Sequence, residues 1–288
     1  MEKKLETGKL YIVATPIGNQ GDISKRCIEI FNEVHCIAAE NTRNSSNLLS
    51  SFNVKKQLVS FHEHNESKVA KRLIKRIQNG DSIALISDAG TPCINDPGYR
   101  LVLLAHENGI TVSPVPGPSS IVAALSVSGL PSDRFIFEGF LPPKSDQRKA
   151  KLEKLVNEER TLIFLVSVHK MHRSIEDMIL IFGGERQAFI GREMTKLHEQ
   201  CVRVRLKKIL LMIEEGEIPK KGEFVLIVEG KRKIDQNQNQ SLFLARKLII
   251  ELMKINSNNE IIDVITKAMD LRRNEIYKLI LEIKKEKD

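Results

Sequence analysis

Three stretches of this sequence follow apolar runs and combine Gly, Pro and small polar residues. They are Thr15-Pro16-Ile17-Gly18-Asn19, Ser87–Gly98 (SDAGTPCINDPG) and Pro116-Gly117-Pro118-Ser119-Ser120. Gly90 and Gly98 permit close backbone approach, Pro92 and Pro97 stiffen the loop, and Asp88 and Asp96 supply acceptors. Each stretch alone is most simply a turn. Together, at the ends of apolar runs, they suit a ligand site at the carboxyl edge of an open parallel sheet. Several familiar chemistries lack their residues. No G-x-x-x-x-G-K-[ST] occurs, which excludes a P-loop, and Gly90-Thr91-Pro92 is no substitute; no G-x-G-x-x-G follows a strand, and no G-x-S-x-G is present. His35, His62, His64 and His106 form no H-x-x-x-H pair; His62 and His64 flanking Glu63 can be drawn as metal ligands, but a polar loop is the simpler reading. No metal is expected.

The elements that would position these loops alternate between strand and helix through the first ~115 residues, as in a mostly parallel α/β sheet. Apolar runs at Leu10–Ala14, Val34–Ala39, Ser82–Ile86 and Ile110–Val115 read as strands. Between them, Asp22 is placed as the cap of a helix carrying Ile23, Cys27, Ile30 and Phe31. Val69, Leu73, Ile74 and Ile77 mark a helix stopping at Asn79-Gly80, and Tyr99–His106 another ending near Gly109. Pro118 lies near the first turn of a helix expected to run to about Val127. A second, α+β section opens near Pro131. Its strands are expected at Phe135–Phe137, Thr161–Val166, Ala188–Ile190, Val202–Arg205 and Phe224–Glu229, with helices near 147–157 and 170–182. The polar run 233–240 reads as a linker, followed by helices at 242–255, about 260–268 and 273–284. The last two, joined around Asp270-Leu271, have helix-turn-helix spacing.

Composition sets the outer bounds. The chain has 288 residues, 41% hydrophobic and 28% charged, which is ordinary globular composition and long enough for about two domains. Its apolar runs fall short of the ~18 residues of a membrane span, and Met-Glu-Lys-Lys leads into a strand rather than an apolar signal core. Cys27, Cys36, Cys93 and Cys201 form no C-x-x-C, so a reduced, cytoplasmic protein without membrane contact is expected. The 45 Lys and Arg against 37 Asp and Glu leave +8, and residues 231–288 hold 13 and 9 of these, or +4. A basic tail fits a polyanionic partner such as nucleic acid, or simply a solvated lysine-rich face.

Read together, LYIVATPIGN, IAAENTR, ALISDAGTPCINDPGYRLV, VPGPSS and GLPSDRFIFEGFLPPK strongly resemble the small-subunit ribosomal RNA 2′-O-ribose methyltransferase I family of the tetrapyrrole methylase superfamily. RTLIF, the His169 region, GREMTK and KGEFVLIVEG extend the resemblance, which runs from Gly8 through essentially the whole chain. It implies an α/β, two-lobed fold with the cofactor in the interlobe cleft and a C-terminal helical appendage. The corresponding divisions are 8–118, 119–232 and 241–288. It further implies S-adenosylmethionine as donor, a cytidine ribose in the decoding region of 16S rRNA in the small ribosomal subunit as acceptor, and a homodimer.

On this resemblance, cofactor contacts are assigned to Pro16, Ser87, Asp88, Ala89, Gly90, Thr91 and Ile94, with Gly117, Pro118 and Ser119 shaping the far wall. A ribose hydroxyl is a weak acid, so a base or polarising cation should assist it; Glu40, Arg43, Arg192, Glu193 and Lys196 are the catalytic candidates. Phosphate binding by Arg43 and Lys196, or pairing of Glu193 with Arg192, is the plainer alternative. Arg272, Arg273, Lys278, Lys284 and Lys285 are the RNA-binding candidates, or else a solvated or packing face. Two positions depart from the family: Asn41 and Val166 stand where it usually has acids. A tetrapyrrole-directed methylase and a non-catalytic rRNA-binding assembly factor are the competing functions.

Overall fold

The computed structural model describes residues 7–231, 233–269 and 271–285, with no account of side chains over 233–240 or at 285. Five parallel strands form the first sheet: β1 (Lys9–Val13), β2 (Cys36–Ala39), β3 (Leu58–Ser60), β4 (Ile83–Ile86) and β5 (Thr111–Val115), in the order β3-β2-β4-β1-β5. β2 and β4 are buried at every position because helices cover both faces, so they read as unbroken apolar runs rather than alternating ones. On one face α1 (Lys25–Glu33) and α2 (Thr42–Ser51) bring Cys27, Phe31 and Leu49 onto Ile37 and Ala84. On the other, α3 (Glu66–Gln78) and α4 (Tyr99–Glu107) bring Leu73, Ile77, Leu101 and Ala105 onto Leu10, Ala38 and Leu85.

This arrangement fixes where a ligand can go. The chain leaves β1 for a helix on one face and β4 for a helix on the opposite face, although the two strands are hydrogen-bonded neighbours. A crevice therefore opens between their carboxyl ends, the topological switch point of an open α/β sheet. Two of the three glycine- and proline-bearing loops start there.

The second sheet has the order β6-β7-β10-β8-β9, built from β6 (Phe135–Phe140), β7 (Thr161–Val166), β8 (Gln187–Arg192), β9 (Gln200–Arg205) and β10 (Phe224–Val228). Only the β6–β7 pair is parallel. One face receives α5 (Ser120–Ser128), which packs Ile121, Ala124 and Leu125 against Phe189, Val225 and Ile227. α6 (Ser145–Glu153), α7 (Met171–Phe182) and α8 (Leu206–Glu214) complete the section. Arg148 of α6 ties to Asp177 of α7 at 2.6 Å with both side chains buried, and two carbonyls, of Pro142 and Pro143, accept from the same guanidinium. The two sheets belong to one compact unit.

Residues 156–160 and 230–288 form a second compact unit. Within it α9 (Lys233–Leu252), α10 (Asn258–Ala268) and α11 (Arg273–Lys285) enclose Ala245, Ile249, Ile261, Ile265, Ile276 and Ile280. Ser257 and Glu260 make a reciprocal capping box at the start of α10.

The elements differ from the sequence reading at identifiable places. Ser24, not Asp22, caps α1 by accepting from the Cys27 amide; Asp22 lies in a 3-10 turn, Gln20–Asp22. The run 233–240, read as a linker, is the beginning of α9. α2, β3 and α8 were not anticipated.

Candidate active site

The loop after β1 and the loop after β4 are zipped together by backbone. Thr15 donates to the Gly90 carbonyl at 2.9 Å, Gly90 donates back at 3.0 Å, and the Thr15 hydroxyl reaches the Ser87 carbonyl at 3.2 Å. Gly90 sits at φ +77, where a side chain is strained. The Thr91 hydroxyl then donates to the Pro118 carbonyl at 3.2 Å, bringing in the third loop. Gly117 is pressed on Ala14, so a Cβ there would stand 3.0 Å from the Ala14 Cβ. Three stretches separated in sequence are thus one rigid surface.

The far end of the Ser87–Gly98 loop is held from below. Glu66, buried in the first turn of α3, accepts from the Gly98 and Arg100 amides at 3.1 Å each. It satisfies donors at the start of α4, whose N-cap Gly98 has no side chain to do so. Asp88 performs the corresponding task at α2. Its carboxylate accepts from the Asn41 amide at 3.2 Å and the Asn44 side chain at 3.0 Å, while the Asn41 side chain caps α2 through the Arg43 and Asn44 amides.

A cavity of about 500 Å³ opens between this surface and the second sheet. Ile17, Ala89, Gly90, Thr91, Ile94, Asn95 and Asp96 line it from the first sheet's loops, and Ser119, Ser120 and Ile121 from the start of α5. The opposite wall comes from strand ends of the second sheet. It comprises Phe140, Leu165–His169, Met194 and Gly222–Val225. The lobes also touch directly: the Asn19 amide donates to the Thr195 hydroxyl at 3.1 Å, and Gly18 lies so close to Lys196 that a Cβ would meet its Cγ at 2.4 Å.

Of the cofactor candidates, Ala89, Gly90, Thr91, Ile94 and Ser119 line the cavity; Pro16, Ser87, Asp88, Gly117 and Pro118 do not, and of these Ser87, Gly117 and Pro118 hold the lining loops through the contacts described above. None of the five catalytic candidates lines it. Glu40 joins Asp88 and Asp96 in a group of carboxylates. Burial, then the charges of Asp96 and Asp88, pushes the Glu40 carboxyl above its ordinary range. Burial, then Asp88, does the same to Asp96, partly offset by a hydrogen bond from Ser87. Arg43 is exposed on α2.

Arg192, Glu193 and Lys196 act on the backbone of the wall. Arg192, buried, donates to the carbonyls of Lys221 at 2.8 Å and His198 at 3.0 Å. Glu193, at φ +48, accepts from the Glu223 amide at 2.8 Å, and Lys196 bridges Glu193 and Glu223 at 3.0 Å each. They therefore set the course of the 219–223 loop. Among the residues missed in the sequence are Asp96 as a wall residue, and Phe140, Leu165, Ser167, Val168, His169, Met194 and Gly222–Val225. Asp96 was within the singled-out loop; the others lie at strand ends whose convergence only the fold reveals. In the second unit, Arg272, Arg273, Lys278 and Lys284 are exposed, with Arg273 paired to Asp263 at 2.7 Å; the Lys285 side chain lies outside the described residues.

A sequence model of the tetrapyrrole (corrin/porphyrin) methylases matches residues 9–210, which carry both the switch-point loops and most of the opposite wall. The ribosomal RNA small subunit methyltransferase I of Haemophilus influenzae is 50% identical over 235 residues, 82% of this chain and 83% of that protein. The chain belongs to the tetrapyrrole methylase family, in its ribosomal RNA small subunit methyltransferase I group. This methyltransferase also shares 42% identity with the Vibrio cholerae relative of the same name over 95% of its own length and 94% of the relative's, so the likeness includes the helical tail. A solved uroporphyrin-III C-methyltransferase from Thermus thermophilus, complexed with S-adenosyl homocysteine, superposes with a TM-score of 0.55 at 15% identity, covering 77% of this chain and 97% of that one; this is a likeness of fold. Within the methyltransferase, no group of three or more His, Cys, Asp or Glu side chains among the described residues is arranged to hold a metal. No helix of the described residues is long and apolar enough to cross a membrane.

Proposed function

We propose that this methyltransferase transfers the methyl group of S-adenosylmethionine to the 2′-hydroxyl of a cytidine ribose in the decoding region of 16S rRNA, within the small ribosomal subunit. The observation that carries the reading is the near full-length identity to relatives named ribosomal RNA small subunit methyltransferase I, tail included. The cavity suits the donor. Its size lies within the roughly 300–1,000 Å³ of small-molecule sites. Ile17, Ile121, Leu165, Val166 and Val225 offer apolar surface for an adenine ring, and Asp96, backed by Asp88 and Glu40, offers negative charge for a cationic ligand. When bound, the donor supplies an activated methyl on a sulfonium.

The chain's part is then chiefly alignment and exclusion of water. The zipped loops hold the Ala89–Thr91 wall in one position, and the Arg192–Glu193–Lys196 group holds the facing 219–223 loop. Asp96, on the first-sheet wall, is the lining carboxylate not engaged by an ammonium group, as Glu223 is by Lys196, and is able to take a proton from an acceptor hydroxyl. Glu40 and Asp88 are positioning residues behind it. The cytoplasm as location and a homodimer as assembly complete the proposal. Incubation with methyl-labelled S-adenosylmethionine and isolated small subunits tests it, with a tetrapyrrole offered in parallel. Label in 16S rRNA supports the reading; label in the tetrapyrrole alone, or none despite donor binding, overturns it.

A further inference from the structure

The two walls of the cavity differ in charge. The first-sheet wall carries Asp96 with Asp88 and Glu40 behind it. At the opposite rim, His169 and Gly222–Glu223 line the cavity, and their chain neighbours Lys170, Lys220 and Lys221 are exposed. No ion pair or side-chain hydrogen bond to a described residue engages these three ammonium groups. Glu223, the carboxylate among the described residues lining the cavity there, and Glu193 behind Gly222 are both paired with Lys196 at 3.0 Å. The rim is also built firmly. Arg192 fixes the Lys221 carbonyl and Glu193 the Glu223 amide, which holds the backbone that carries Lys220 and Lys221, while the Lys170 amide donates to the Ser167 carbonyl at 3.0 Å.

We infer that the rim formed by Lys170, Lys220, Lys221 and His169 is a docking surface for the phosphates of a single-stranded RNA segment, which it delivers to the cavity mouth. The inference rests on the proposed function and deepens it by naming where the acceptor strand lies. Unpaired cations beside a cavity attract a polyanion, and single-stranded, splayed-out nucleotides are the form of RNA whose ribose can enter such a cavity. The acidic wall opposite repels the same backbone. The donor's positive charge and the acceptor's negative charge are thereby sorted to opposite sides.

The test compares the full-length protein with its Lys170→Ala/Lys220→Ala/Lys221→Ala variant, and with the corresponding triple Lys→Arg variant. Binding of a fluorescent single-stranded RNA oligonucleotide is followed by anisotropy across a salt series, alongside calorimetry with S-adenosylmethionine and steady-state methylation of small subunits. The alanine variant is expected to bind RNA more weakly, with the log–log salt slope reduced by about 2, at ~0.7 per single-strand phosphate contact. Its KM for subunits should rise several-fold while donor affinity stays as in the parent, and the arginine variant should recover RNA binding. Unchanged RNA affinity and slope in the alanine variant overturn the inference. A parent that binds RNA through these lysines but labels no rRNA would instead count against the methyl-transfer reading alone.

Discussion

Asp96 is a carboxylate in the cavity wall with two further carboxylates, Asp88 and Glu40, close behind it. Burial first, then the charge of Asp88, holds its carboxyl above the usual range, so the folded chain binds that proton more readily than the unfolded one. The resulting destabilisation is full at neutral pH and fades as pH falls through the folded value. Asp96→Asn should therefore raise the melting temperature at about pH 7.5, with the advantage shrinking toward about pH 5. The same substitution should weaken S-adenosylmethionine binding, read by calorimetry; a lower melting temperature at neutral pH would contradict the account. Glu66 is the opposite case, a buried acid whose value is purely architectural. Glu66→Ala leaves the Gly98 and Arg100 amides without their acceptor and should cost roughly 2–3 kcal/mol in chemical denaturation, while Glu66→Gln, which keeps an acceptor oxygen, should cost less. Gly90→Val places a branched side chain at φ +77, with its Cβ 3.4 Å from Ile17 in the cavity wall. Relief of ~1–2 kcal/mol of strain there displaces the loop from its binding course, so donor affinity should fall by roughly five- to thirty-fold.

At the scale of elements, β2 and β4 were legible because they are buried on both faces and read as plain apolar runs, whereas β3, three residues at the sheet's edge with one buried position, gives no such run. β7, an apolar run like β2 and β4, was placed to the residue. α2 was not legible, because Thr42–Ser51 is rich in Ser and Asn and has little intrinsic preference for helix. It is held instead by its cap. Asn41 stands where the family usually has an acid, and Asn caps as well as Asp. Asn41→Asp should leave stability almost unchanged, while Asn41→Ala should cost about 1 kcal/mol and loosen the Asp88 contact, both measured by thermal melting. The three loops could be recognised from their Gly and Pro content, but that they interlock through Thr15, Gly90 and Thr91 could not. The facing wall was opaque for a related reason. Its residues come from the ends of β6, β7, β8 and β10, which lie far apart along the chain and become neighbours only through the mixed sheet order. Arg192, Glu193 and Lys196 read in sequence as chemically able groups; their contacts hold backbone, a role that residue type does not announce.

For the whole molecule, the charge first noticed in the tail has a counterpart at the cavity rim. The chain divides into the double-sheet unit and a helical unit comprising 156–160 and 230–288, the latter with its own buried core. Removal of residues 230–288 should accordingly leave donor binding near that of the intact protein while impairing methylation of small subunits; equal methylation would assign the tail to structure alone. The most direct test of the account follows the methyl group itself. Small subunits treated with labelled S-adenosylmethionine are stripped to 16S rRNA, digested to nucleosides and resolved by mass spectrometry. The account predicts a single labelled nucleoside, a cytidine methylated on its ribose 2′-oxygen. Label on a base, on another nucleoside, or absent from 16S rRNA would contradict it.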